Sequence, residues 1–130
     1  MVKNCDKIIV KRLLRCHMNW NDAKISLQKI AVGTDINTKT SRYRFILAHN
    51  ETGIKTRVAK SGAIVLDFPF LEMCYTGLLN VDGFNAKFLK AFFEKRYNNK
   101  PCTMHTVGQL FVKAGFAKLD STGHNYFPVK

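Results

Sequence analysis

The amino-acid sequence predicts an α+β fold: N-terminal helices with a short antiparallel β-sheet, followed by a helix–helix–hairpin unit. Three observations predict it. Between residues 43 and 68, apolar and polar side chains alternate with a period of two around Asn- and Gly-containing turns, as half-buried strands require. Residues 84–114 return to helical spacing. Residues 116–129 form two short apolar runs about an Asp-Ser-Thr-Gly turn. A chain of 130 residues, 46% hydrophobic and with ten Phe, has material for a real core. Two modules are expected, residues 1–80 and 81–130, the alternative being one compact domain.

The first element is a helix over residues 4–17, NCDKIIVKRLLRCH. Asn4 or Asp6 caps it, and Ile9, Leu13 and Cys16 recur at helical spacing. Lys7, Lys11 and Arg15 fall on one line at i, i+4 and i+8. A second helix is expected over residues 21–32, capped by Asn21 or Asp22, with Ala23, Leu27, Ile30 and Ala31 inward and Gly33 ending it.

Residues 41–60, SRYRFILAHNETGIKTRVAK, carry two competing periods. As a hairpin, Asn50–Gly53 is the turn and His49 meets Ile54. Counting back, Leu47 then meets Thr56 and Phe45 meets Val58 on one face, with Ile46 opposite Arg57 and Arg44 opposite Ala59 on the other. The competing interpretation joins SLQKIAVGTDINTKT to this segment. That stretch resembles a helix-turn-helix through Leu27, Ile30, Ala31 and Ile36, and would make Asn37–Arg44 a base-reading helix. The pairing pattern favours the hairpin.

A third strand follows over 63–68, AIVLDF. Its nearly continuous apolar run suits a strand covered on both faces, and Pro69 ends it. Residues 70–83 form a short helix plus a linker. A single amphipathic helix is expected over 84–98 with Phe84, Phe88, Ala91 and Phe92 inward, broken at Asn98–Pro101. Another starts at Thr103, buries Val107, Leu110, Phe111 and Ala114, and stops at Gly115.

Charge is the strongest functional signal. Lys and Arg number 21 against 9 Asp and Glu, a formal net charge of +12, and the pI is about 9.8. A domain this basic is expected to meet phosphates or another polyanion. Residues 1–60 hold 13 of the cations against 4 acids, and residues 61–130 hold 8 against 5. On the hairpin pairing, Arg42, Arg44, Lys55 and Arg57 share one face with no carboxylate among them. Lys39 and Lys60 flank it, and Lys7, Lys11 and Arg15 add a stripe. An antiparallel ribbon can present such a face to a groove of duplex DNA, and Arg grips phosphate or guanine through its planar fork. A solvated outer face is the competing explanation of these charges.

Other chemistry finds little support. Cys102-x-x-His105 has ligand spacing but no second pair, and Cys16-His17 are adjacent, so no metal is expected. Asp67, Glu72 and Asp82 form no nuclease-like cluster and no Gly-rich phosphate loop is present, so neither an enzyme nor a cofactor is expected. The irregular Cys spacing and the lack of a signal-peptide pattern point to reduced thiols and a cytoplasmic setting. No window reaches a membrane span.

The closing run VGQLFVKAGFAKLDSTGHNYFPV carries a pattern of its own. Leu110, Phe111, Gly115, Phe116, Lys118, Gly123, Tyr126 and Phe127 stand where a helix ends in Gly-Phe and a basic strand, Gly turn and aromatic strand follow. With the helix before it, this order resembles a winged-helix domain over residues 84–129. The resemblance implies a winged-helix-like C-terminal module, DNA association, and a protein contact through that module. The chain departs from the pattern in basicity, since only Lys113 and Lys118 are basic within residues 101–129.

The expected function is nucleic-acid binding, with duplex DNA favoured over RNA, in a small regulator of transcription or another DNA transaction. The alternatives are an interaction or inhibitor protein docking on an acidic partner, and an RNA-binding accessory factor.

Overall fold

A computed structural model describes residues 19–39 and 41–129. The predicted helix 4–17 and its stripe of Lys7, Lys11 and Arg15 lie outside the described residues. Within them the chain is mixed α+β, with five helices, a three-stranded antiparallel sheet and a two-stranded one.

Helix α1, Trp20–Gln28, is capped by Asn19, whose side-chain oxygen accepts from the Asp22 N–H at 2.9 Å. It buries Ala23 and Leu27 and is shorter than the sequence predicts. The chain leaves it because residues 33–36 run along the sheet instead. The Gly33 N–H donates to the Ile46 carbonyl (2.7 Å), the Ile46 N–H to the Thr34 carbonyl (3.1 Å), and the Ile36 N–H to the Arg44 carbonyl (3.0 Å). Each bond satisfies a backbone group at the edge of the first strand.

Strands β1 (Phe45–His49), β2 (Gly53–Arg57) and β3 (Ala63–Asp67) pair in that order, all antiparallel. The hairpin expectation for residues 41–60 therefore holds, and the recognition-helix alternative fails. Asn50 builds the turn: its Oδ1 accepts from Thr52 N–H (2.8 Å) and Gly53 N–H (3.2 Å). Gly53 is the first residue of β2, where a Cβ would lie 2.5 Å from the Leu66 carbonyl oxygen.

The register corrects the expectation below the turn. His49 faces Ile54 as predicted, but a bulge at Leu47 absorbs one residue, so Ile46 faces Thr56 and Phe45 faces Arg57. A slip of one residue exchanges the faces of a strand. Ile46 is therefore fully buried beside Ile54, Thr56 and Leu66, and Phe45 turns outward. β3 also differs from expectation. Only its inner face is covered, and Val65 is 59% exposed.

Asp67 ends β3 and caps helix α2, Phe68–Leu78, by accepting from the Phe70 N–H at 3.1 Å. Pro69 sits in the first turn of α2, where its missing N–H has no helical partner to lose. The helix buries Phe68, Phe70, Leu71, Cys74, Tyr75, Gly77 and Leu78 and forms the centre of the core. Each large apolar side chain sequestered there is worth roughly 1.5–3 kcal/mol.

The single helix expected over 84–98 is two: α3, Ala86–Phe92, and α4, Glu94–Asn99, separated at Phe93. The break turns Phe93 against Phe70, with ring centroids 4.8 Å apart, and leaves Phe92 60% exposed. Phe84 precedes α3 and bridges Tyr126 through two backbone hydrogen bonds of 2.9 Å.

Helix α5, Thr103–Ala114, buries Val107, Leu110 and Phe111 and ends at Gly115, whose φ of +94° is the left-handed C-cap expected of glycine. Its N-cap is Cys102, not Thr103, which is buried. Strands β4 (Ala117–Leu119) and β5 (Tyr126–Pro128) form the predicted closing hairpin. Buried side chains on both sides of residue 80 form one connected core, from Ala23 to Tyr126. No helix among the described residues is long and apolar enough to cross a membrane.

Candidate nucleic-acid interface

The exposed face of the three-stranded sheet follows from the bulge. Ile54 and Thr56 point inward, so Lys55 and Arg57 between them point outward, as predicted. Arg57 lies over the Phe45 ring, with its guanidinium carbon 5.8 Å from the centroid. Its Nη1 also donates to the Lys60 carbonyl at 3.2 Å, which ties the side chain to the β2–β3 turn. Lys55, Lys60 and Val65 are exposed around this pair. The result is a small cationic surface with an aromatic floor, built from β2, the β2–β3 turn and Phe45.

Arg44 does not share this surface. It stands two residues before buried Ile46, on the inner side of the strand, and its side chain is half-buried. Its positive charge reaches His105 and Tyr126, on α5 and β5. Its Nε and Nη1 are buried without a hydrogen-bond partner. The predicted face of Arg42, Arg44, Lys55 and Arg57 is thus divided by the bulge. Arg42 and Lys39 are exposed in the segment before β1, outside the regular strand.

Around Tyr126 a second polar group forms, which sequence reasoning missed. Gln109 Nε2 donates to the Tyr126 hydroxyl at 3.0 Å, and His105 Nδ1 lies 2.8 Å from the same oxygen. The phenolic oxygen has one proton and two lone pairs, so it can accept from Gln109 and still bond His105 Nδ1, the tautomer of the imidazole setting which of the two donates. Burial first, then the charges of Arg44 and His124, hold the His105 pKa below its ordinary value. The sequence contained the helical spacing of His105 and Gln109, but not the 17-to-21-residue reach to Tyr126.

The β4–β5 turn is held by Asp120. Its carboxylate accepts from the Thr122 hydroxyl (2.7 Å) and from Asn125 Nδ2 (2.9 Å), and these bonds hold it well below the usual carboxylate range. Lys118 and Lys113 are exposed on this side.

Elsewhere, Cys74 is buried, which raises its thiol pKa well above the ordinary value, so it is not a reactive thiolate. No group of three or more His, Cys, Asp or Glu among the described residues could hold a metal ion. Among those residues Arg96–Asp67 is the single salt bridge, at 3.1 Å. Comparison of the chain with protein-family models, with curated proteins and with solved structures gives no match to any of them.

Proposed function

We propose that this protein binds nucleic acid, with duplex DNA as the preferred form, as a small cytoplasmic regulator of transcription or another DNA transaction. The observation that carries the proposal is the set of unpaired cations. Of the Lys and Arg side chains among the described residues, only Arg96 has a carboxylate partner. The outer sheet face and its turn present Lys55, Arg57 and Lys60 with no acid among them. Such a surface is most stable when phosphates neutralise it. Arg57 held over Phe45 is preordered for contact, since part of its side-chain freedom is already restricted. Lys39 and Arg42 extend the surface along the approach to β1, and Lys7, Lys11 and Arg15 would add phosphate contacts.

The winged-helix reading of residues 84–129 is supported by element order. Helix α4, a short linker, α5 ending at Gly115-Phe116, and the β4–β5 hairpin follow one another as that architecture requires. In this chain α5 packs against α1 and commits His105 and Gln109 to Tyr126. Its role in the proposal is therefore to hold α1 and the closing hairpin in the core, not to enter a groove.

Salt titration of duplex binding tests the proposal. Each phosphate neutralised contributes about −0.9 to the slope of log affinity against log salt. Lys55→Ala with Arg57→Ala flattens that slope by about 2 units, while stability falls by about 1 kcal/mol, the scale of the Arg57 contact with Phe45. A mixed-sequence RNA pool run in parallel separates the two nucleic acids. Failure of both to bind at low salt overturns the proposal.

A further inference from the structure

The two edges of the three-stranded sheet are treated differently. The edge of β1 is covered by residues 33–36, which take up the Ile46 and Arg44 backbone groups. Beside the outer edge of β3 there is no strand among the described residues. The hydrogen-bond phase of that edge is set by its two ends. Phe68 N–H donates to Thr52 O (2.9 Å) and Val58 N–H to Gly62 O (3.0 Å). Bonded pairs alternate along an antiparallel ladder, so Ile64 and Leu66 face β2 with their backbone groups. The N–H and C=O of Ala63 and Val65 therefore point away from β2, into the open edge.

An open edge is a template for another strand, and proteins usually blunt it with Lys, Pro or a bulge. β3 has none of these. Its sequence is Ala-Ile-Val-Leu-Asp, and its pairing with β2 is regular throughout. Along the edge lies a cleft of about 220 Å³ between β3 and the α4–α5 corner, lined by Ile64, Val65 and Leu66 of the strand and by Arg96, Asn99, Lys100 and Thr103. Arg96 is committed to Asp67 and stacks on Phe70, 3.9 Å from its ring centroid. Lys100 is exposed and has no carboxylate partner; its Nζ reaches the Gly62 end of β3, 4.0 Å from where a Cβ on that glycine would lie.

We propose that the β3 edge binds an extended acidic segment of a partner protein as a fourth strand. Main-chain bonds to Ala63 and Val65 supply the affinity. Alternate side chains then fall on opposite faces of the sheet, one set on the side of buried Leu66 and the other on the side of exposed Val65, with Lys100 at the cleft between. The alternating donors and acceptors of the edge match a peptide backbone and not a phosphate row. A net charge of +12 opposes a second copy of this chain and favours an acidic occupant. The inference concerns a different surface from the proposed duplex interface and stands without it.

A seven-residue acetylated peptide amide alternating Val and Glu is the probe, titrated to millimolar concentration into the full chain and followed by amide exchange and NMR shifts. The expected result is slowed exchange at the Val65 N–H with shifts confined to residues 61–67 and the α4–α5 corner. N-methylation of one alternate set of peptide amides should abolish binding, while methylation of the other set spares it. Lys100→Glu should weaken binding about tenfold. Absence of binding, or equal loss from both methylated peptides, overturns the proposal. So does protection of Val65 that appears without peptide as protein concentration rises, which identifies a second copy, or equal protection by duplex DNA.

Discussion

The two hairpins of this protein use the same geometry for opposite ends. The β4–β5 hairpin is short and is built into the core. Tyr126 is fully buried, bridges Phe84 through its backbone, and carries the hydroxyl that Gln109 and His105 share. The β1–β2 hairpin is longer and half-exposed, with a bulge, and holds Lys55 and Arg57 on its open face. The difference teaches where charge can be carried. A strand held by core contacts on one face can leave its other face to cations, while a hairpin anchored through its largest aromatic has little surface to offer.

Breaking the anchored hairpin should have the largest effect. Tyr126→Ala removes a fully buried ring and the hydrogen-bond partner of two polar side chains. Loss of a large buried aromatic costs about 3–5 kcal/mol, and urea denaturation of this variant should show most of the protein's stability gone. The neighbourhood cannot relax into the space from α5 without cost, because Gly108 lies directly against the ring: a Cβ there would sit 2.2 Å from it. If Tyr126→Ala costs no more than Lys55→Ala with Arg57→Ala on the open face, the distinction between the hairpins fails.

A smaller effect tests how completely the inner face of the first hairpin is satisfied. Thr56 is fully buried opposite Ile46, and its hydroxyl has no hydrogen-bond partner. A buried unpaired hydroxyl carries a desolvation penalty of about 1–3 kcal/mol. Thr56→Val keeps the shape and removes the polar atom, so it should raise the midpoint of urea unfolding, by the equivalent of about 1 kcal/mol. A loss of stability would show that the hydroxyl has a role in the inner face that its geometry does not reveal.

The same comparison explains what was legible in the sequence. The closing hairpin could be placed because its turn chemistry, Asp120 to Gly123, and its flanking apolar runs are local. The turn of the first hairpin was legible for the same reason, through Asn50 and Gly53. The bulge at Leu47 was not, because nothing within residues 45–57 distinguishes it from regular pairing. It is set by residues 33–36, which bond to β1 from the other side, and by the demand that Ile46 reach the core. The break at Phe93 escaped for a similar reason. Helical spacing ran on through it, and only the packing of Phe93 on Phe70 decides against one long helix. Of the candidate site, the outward cations of β2 could be read from alternation, but the fate of Arg44 depended on the unseen bulge.

Arg44 of the first hairpin acts by its charge on His105 and on Tyr126 of the second, and it gives the smallest and most local prediction. His105 is held neutral mainly by burial, with Arg44 and then His124 adding to the effect. Its folded pKa is therefore below that of the unfolded chain, near 6.5. Above that pH neither state binds the proton and the associated stability is fully present. As pH falls through 6.5 toward the folded pKa, the unfolded state takes up the proton first, and stability declines. Arg44→Met removes one of the two charges, along with the two buried guanidinium nitrogens that lack partners. The His105 pKa should rise toward its ordinary value without reaching it, because burial and His124 remain. The loss of stability between pH 7.5 and 5.5 should shrink accordingly. NMR titration of the His105 ring reads the first effect and urea unfolding at the two pH values reads the second. An unchanged His105 titration in Arg44→Met would mean that Arg44 does not bridge the hairpins.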